Sequence, residues 1–446
     1  MEPVYEKLDS LIDSYIKEMT EDLMRLIEIP SITDDRPQVN KALMYTMGCG
    51  RRLGFDVTVL LDGEVGLIEM GEGTETLGIL AHVDVVSEGD SEKWRTPPFQ
   101  PVLKNGILYG RGTLDDKGPV VASLYAMKAV SELSDKLGKP LLKKVQLILG
   151  TREEKEWTDM DAYVRQFPLP DYGFTPDGEF PICNIEKGVA TLTMFLPIGL
   201  DNIITRLEGG TASNVVPGKC LATVGGKDIT IEGKAVHASS PEKGENAILK
   251  MAQTLLEMDL QESPFTEVVA SMLLKLFKDA EGTALGVRSE SEYYNGEFVH
   301  RNIFTPTMID VTEDGTKIVF DIRYAYGTNF NEILNVFNEL ALSLGGRVDF
   351  YQDLPPVYVS SKKAFLRVLA GAYERITGLK NEFVLAYGGS YAKAMPNIVS
   401  WGPIFPGEPD TCHEENEFIT IDSLVKNAKI FASAIWDIVL SERSFK

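Results

Sequence analysis

The sequence predicts an α/β fold: a domain with a central mixed sheet flanked by helices, interrupted by a large α+β insertion. Three observations carry this. Helical periods alternate with short apolar strand runs up to about residue 186. Short strands with isolated helices then take over through residue 357. Beyond that point the alternation of helix and apolar strand returns. The parse is therefore residues 1–186 and 358–446 as two parts of one domain, with 187–357 inserted.

Taken in order, Leu8, Leu11, Ile12, Tyr15, Ile16, Met19, Leu23, Leu26 and Ile27 fall at helical spacing. They predict one amphipathic helix over 4–29, ended by Pro30. A second helix runs over 39–53 and stops at Gly54. Strands follow at 56–61, 65–70 and 76–85, then a helix over 120–134 and a core strand over 145–149. In the insertion, strands read at 188–195, 220–224, 228–233, 317–325 and 347–351, with helices at 245–258 and 329–344. Val319, Asp321 and Arg323 share one face of their strand. The last segment carries a strand at 357–359, a helix over 362–377, a strand at 398–401 and a final helix over 422–440.

Composition narrows the function. The 446 residues hold 66 Asp and Glu against 44 Lys and Arg, a net charge of −22, and no basic cluster interrupts it. Such a surface excludes nucleic acid and anionic membrane as partners. Cys49, Cys183, Cys220 and Cys412 show neither CxxC spacing nor a disulfide framework, so a cytoplasmic setting is expected. No signal peptide is predicted, and no apolar run approaches the ~18 residues of a membrane span.

The chemistry is concentrated in a few polar residues at the ends of apolar elements. His82 and Asp84 sit two apart in the run Gly78–Val86, so they lean the same way near a strand's carboxyl end. A carboxylate there can hold a metal-ligating imidazole in one tautomer, or simply neighbour a core histidine. Asp115 and Asp116 follow Gly110-Arg-Gly-Thr-Leu at a strand-to-helix junction, where one of them caps the helix or bridges two cations. Glu153 and Glu154 end the 145–149 strand. Neighbouring side chains diverge, so one of the pair can hold a metal while the other faces water as a general base. Asp177, in a proline-bounded acidic loop, is a further candidate ligand, and His413, in a polar loop before the last helix, supplies a second imidazole. Two imidazoles with three carboxylates suit zinc, with manganese or cobalt as alternatives. If Asp115 bridges, each of two divalent ions has three protein ligands.

These motifs, in this order, resemble the co-catalytic zinc peptidases, the superfamily of aminoacylase, carboxypeptidase G and the PepV dipeptidases. The resemblance covers nearly the whole chain. It implies that His82, Asp115 and Asp177 hold one ion, and Asp115, Glu154 and His413 the other. It further implies Glu153 as general base, Asp84 as the orienter of His82, and a cis peptide between Asp115 and Asp116. Within the superfamily the long insertion resembles the doubled lid of the PepV type, which caps the active site of a single chain. The expected protein is thus a monomeric dipeptidase, with a catalytic domain interrupted by a lid domain.

On that lid the resemblance places Asn214 and His237 as contacts to the substrate carbonyl and the transition state. Arg323 falls on the clamp for the substrate's terminal carboxylate. Gly388 and Gly389 belong to a variant of the family's glycine-rich substrate loop. Arg152 departs from the pattern, standing where the family usually has an Asp, and His300 matches nothing and reads as a loop residue. The rival activities are N-acyl-amino-acid deacylase and carboxypeptidase, or binding of metal or amino acid without catalysis.

Overall fold

A computed structural model describes residues 2–258, 260 and 263–446. The chain divides into two compact units. One comprises Met1–Asn184, Tyr358–Val384 and Ser390–Lys446; the other comprises Ile185–Val357 together with Leu385–Gly389. That last excursion was not expected from the sequence, and it carries both Gly388 and Gly389.

The first unit is built on a mixed sheet in the order Asp56–Leu60, Val65–Met70, Lys144–Gly150, Thr76–His82, Tyr172–Thr175, Ile398–Ser400, Ile182–Glu186. Its outer pairs are antiparallel. The central strands Lys144–Gly150, Thr76–His82, Tyr172–Thr175 and Ile398–Ser400 run parallel. Parallel strands are covered on both faces and read as continuous apolar runs, as Leu77, Ile79, Leu80, Leu147 and Ile148 do. Their carboxyl ends lie along one edge, since His82 pairs with Gly150 and Ile79 with Phe174. In open α/β sheets that edge is where sites form. The helices Lys117–Leu137 and Ile421–Val439 pack together and bury almost every apolar side chain they carry.

Three local differences from the sequence reading have physical causes. The predicted 4–29 helix is two, Glu2–Ser14 and Ile16–Ile27. Tyr15 stands between them, its hydroxyl on the Glu132 carboxylate and its ring 5.7 Å from Tyr125. The predicted 76–85 strand ends at His82; beyond it the Asp84 carbonyl lies against the His82 ring and Val85 bridges to Ile32 instead. A small sheet of Val102–Lys104, Ile107–Tyr109 and Phe418–Thr420 was not foreseen, being made of three-residue strands, the last of them distant in the chain from the first two.

The second unit is an antiparallel sheet in the order Lys227–Glu232, Lys219–Val224, Ile204–Gly209, Ile303–Val311, Thr316–Tyr324, Gly188–Leu196, Arg347–Leu354. Ala247–Glu257, Ser271–Phe277 and Phe330–Ser343 supply its helices, and Leu192, Met251, Phe277, Phe320 and Phe337 lie in its core. Among the described residues no helix is long and apolar enough to cross a membrane.

Candidate metal centre

His82 is the last residue of its strand and is fully buried. Its Nδ1 lies 2.9 Å from the Asp84 main-chain carbonyl and 3.5 Å from the Asp84 carboxylate. Both neighbours only accept, so Nδ1 carries a proton and Nε2 is the nitrogen left able to act as a ligand. Nε2 lies 3.0 Å from Asp115 Oδ1 and 3.7 Å from Asp177 Oδ2. The His82 main-chain N–H donates to Asp116 Oδ2 at 3.0 Å. Asp116 therefore ties the strand end to the loop and makes no side-chain cap on the helix it precedes. The Asp115–Asp116 peptide is cis.

The second oxygen of Asp115 faces another imidazole. His413 Nε2 is 2.9 Å from Asp115 Oδ2 and 3.1 Å from Glu154 Oε2. His82, Asp115 and Glu154 bring one ligand atom each to within 4.8 Å of one another, and so do His82, Glu153 and Asp177. His82 Nε2, Asp115 Oδ1 and Glu154 Oε1 are buried without a hydrogen-bond partner. Buried polar atoms are almost always satisfied, so inward-facing orphans of ligand type fit a cation-binding site.

The electrostatics agree. Burial, then the Asp115 charge, pushes Asp177 up to about 8. Burial and Asp177 raise Glu153, and burial and Asp115 raise Glu154. Hydrogen bonds to Asp115 and Glu154 push His413 up to about 11. Asp115, flanked by both imidazoles, is held low by them against its burial. The pocket holds more negative charge than its own imidazoles neutralise, and divalent cations relieve that surplus.

The paired glutamates follow Gly150 on a turn held from three sides. Asp84 Oδ1 accepts the Glu153 N–H at 3.3 Å and Oδ2 the Glu154 N–H at 3.4 Å, while the Thr33 hydroxyl donates to Oδ2 at 2.8 Å. Asp159 Oδ2 accepts the N–H groups of Thr151 and Arg152 at 2.6 and 3.0 Å and the Tyr391 hydroxyl at 2.7 Å. Trp157 donates its indole N–H to the Glu153 carbonyl. Arg152 turns from the pocket, its Nε 2.9 Å from Glu64 Oε2, an oxygen also 2.7 Å from Arg36. Its charge is thus answered by Glu64.

In the second unit, His237 Nδ1 accepts the Ser239 N–H at 3.2 Å, with the Ser239 hydroxyl at 2.7 Å. In the neutral ring the proton then sits on Nε2, which is a donor. Burial and the Arg323 charge lower the His237 pKa, favouring that form. Val215 bridges to His237, and the Asn214 carbonyl accepts the Ala238 N–H at 2.9 Å, so Asn214 and His237 lie on paired segments. The Arg323 fork is engaged by Asp321, Nε and Nη2 each at 2.8 Å, and Nη1 donates to the Tyr387 carbonyl at 2.8 Å. Gly388 and Gly389, just beyond Tyr387, are exposed. His300 has a positive φ of 58°, and its Nδ1 is 3.2 Å from Lys187 Nζ.

A match to the family described as "Peptidase family M20/M25/M40" spans residues 78–437. The chain belongs to that peptidase family. Among its relatives, "Putative dipeptidase YtjP" of Bacillus subtilis (strain 168) is 30% identical over 468 residues, covering 95% of this chain and 97% of the relative. A "Putative dipeptidase" of Staphylococcus epidermidis is 30% identical over 478 residues, covering 96% and 98%. Human carnosine dipeptidase 1 shares the fold at a TM-score of 0.63 and 16% identity, over 98% of this chain and 99% of that one. A metallo-carboxypeptidase of Sulfolobus solfataricus does so at 0.62 and 16%, over 94% and 98%.

As an M20/M25/M40 metallopeptidase the chain has two supports that sequence reasoning passed over. Asp159 and Glu417 are buried acids whose oxygens accept main-chain N–H groups of the loops that carry the candidate ligands. Asp159 lies five residues after Glu154 and Glu417 four after His413, but nothing in the pattern marks either as inward-facing.

Proposed function

We propose that this chain is a dipeptidase that cleaves free dipeptides with two divalent ions, zinc by preference and manganese or cobalt as alternatives. The observation that carries this is Asp115, whose two oxygens lie 3.0 and 2.9 Å from two different imidazoles. The dipeptidase names borne by relatives aligned end to end support the substrate class. His82, Asp115 and Asp177 would hold one ion, and Asp115, Glu154 and His413 the other. When bound, such a pair polarises the scissile carbonyl and acidifies water.

The chain's own residues do the rest. Glu153 takes a proton from the attacking water and returns it to the leaving amine as the C–N bond breaks. His237 hydrogen-bonds the developing oxyanion through its Nε2–H, and Asn214 binds the substrate carbonyl. Arg323 meets the terminal carboxylate with the N–H groups that Asp321 and Tyr387 leave over, held rigid by both. The exposed Gly388 and Gly389 let backbone approach the substrate closely. In this reading the second unit is a lid, the protein acts as a monomer, and four cysteines outside any disulfide suit the cytoplasm.

The test is Glu153→Gln with zinc content monitored, assayed on dipeptides and on N-acyl amino acids. A loss of roughly 10²–10⁴-fold in kcat at unchanged metal content is expected. Undiminished turnover refutes the base assignment. Preference for acyl amino acids, or for release of single residues from longer peptides, refutes the dipeptidase reading.

A further inference from the structure

Glu417 is fully buried, and all of its acceptor capacity is used on one loop. Oε1 accepts the N–H groups of Leu114 and Asp115 at 2.8 and 3.2 Å. Oε2 accepts the Gly112 N–H and the Arg111 guanidinium, both at 2.9 Å. Arg111, itself 1% exposed, reaches on to the main-chain carbonyls of Ser87 at 3.2 Å and His413 at 3.4 Å. One carboxylate and one guanidinium therefore join the main chain of Asp115 to the main chain of His413.

Taking two charges out of water costs several kcal/mol each, and apolar replacement of such pairs is often neutral for stability. This pair grips no helix or strand interior. It grips the irregular loop Gly112–Asp115, whose Gly112, Leu114 and Asp115 N–H groups turn inward together, and the loop of His413. His413 has a positive φ of 62°, an uncommon conformation for a residue with a side chain. We infer that Glu417, acting through Arg111, is a positioning residue that sets the spacing of Asp115 and His413 and so selectively supports the second of the two proposed metal sites. The first site shares Asp115, but its other two residues have separate supports: His82 is held by strand pairing and by Asp84, and Asp177 lies two residues beyond a core strand. The inference rests on the two-ion reading given above.

The experiment equilibrates full-length protein against chelator-buffered zinc and measures ions bound per chain. Wild type is expected to take two. Glu417→Gln keeps the shape and removes the charge. It should keep one ion with affinity within about threefold and weaken the other by roughly 10–100-fold, the range for such supporting contacts. His413→Ala should give the same pattern. If the Glu417 variant does not fold, Arg111→Lys keeps the charge but withdraws the branch that reaches His413, and it should weaken the same ion. Two ions of unchanged affinity in the variants overturn the inference alone. Equal weakening of both ions shows a merely structural role and also overturns it. A single ion in saturated wild type overturns the two-ion reading and the inference together.

Discussion

The Asp84 carboxylate accepts the main-chain N–H of Glu153 at 3.3 Å, joining the strand end that carries His82 to the turn that carries the paired glutamates. Asp84 was expected as the orienter of His82 through its carboxylate. The shorter contact to His82 is from the Asp84 main-chain carbonyl at 2.9 Å, and the carboxylate works chiefly on the turn.

Asp84→Asn should therefore disturb Glu153 and Glu154 more than His82. The amide turns a donor toward N–H groups that need an acceptor. Activity or zinc affinity should fall by roughly 10–100-fold, with the fold retained. Steady-state kinetics with parallel zinc titration reads this, and full activity in the variant would disprove the turn-holding role.

Zinc uptake should release protons. Without metal, hydrogen bonds to Asp115 and Glu154 push His413 up to about 11 and burial pushes Asp177 up to about 8, so at pH 7 both hold protons that they would surrender as ligands. Apparent affinity should rise as pH climbs from 6 to 8, where less of Asp177 remains protonated, and keep rising more slowly on account of His413. Calorimetry in two buffers of different ionisation enthalpy measures the protons released. Heats that do not depend on the buffer would contradict this.

Gly150 stands immediately before the turn, and a Cβ there would come within 2.1 Å of the Tyr391 hydroxyl oxygen. Tyr391 is fully buried, its hydroxyl on Asp159 and its ring 5.5 Å from Trp157, so it has nowhere to move. Gly150→Ala should cost about 1–3 kcal/mol by overpacking and lower kcat as well. Chemical denaturation and kinetics together test it, and an unchanged variant would show that the ring yields.

Lys187 supplies a pH signature in the second unit. Burial, then the Arg323 charge, lowers its pKa to about 7, although its ammonium reaches the Arg301 carbonyl. The folded state therefore binds fewer protons than the unfolded chain between pH 7 and about 10.4, and stability contributed by this group rises with pH across that window. Below pH 7 the full penalty applies, at most about 5 kcal/mol at 1.4 kcal/mol per pKa unit. Lys187→Met should remove that rise. Denaturation of both proteins at pH 6.5, 8 and 9.5 checks it, and parallel curves would rule it out.

Much of the α/β texture was legible because buried parallel strands must be apolar throughout, as Ile79–Ala81 and Leu147–Leu149 are. The three-residue strands Ile107–Tyr109 and Phe418–Thr420 were not legible, since neither holds enough residues to show a period. The break at Tyr15 escaped notice because its hydroxyl partner, Glu132, lies 117 residues away.

By itself the sequence determined which residue types stand at the ends of its apolar runs, since alternation, glycine turns and exposed acids follow from local chemistry. It also determined the family, through motifs in order. The tertiary structure decided that His82, Asp115, Glu154, Asp177 and His413 share one pocket, and that Glu417 lies under the Asp115 loop. Those placements depend on which strand ends lie side by side and on the pairing of Tyr109 with Phe418. Such long-range pairings come from burying the whole core, a sum over the chain that no local stretch records.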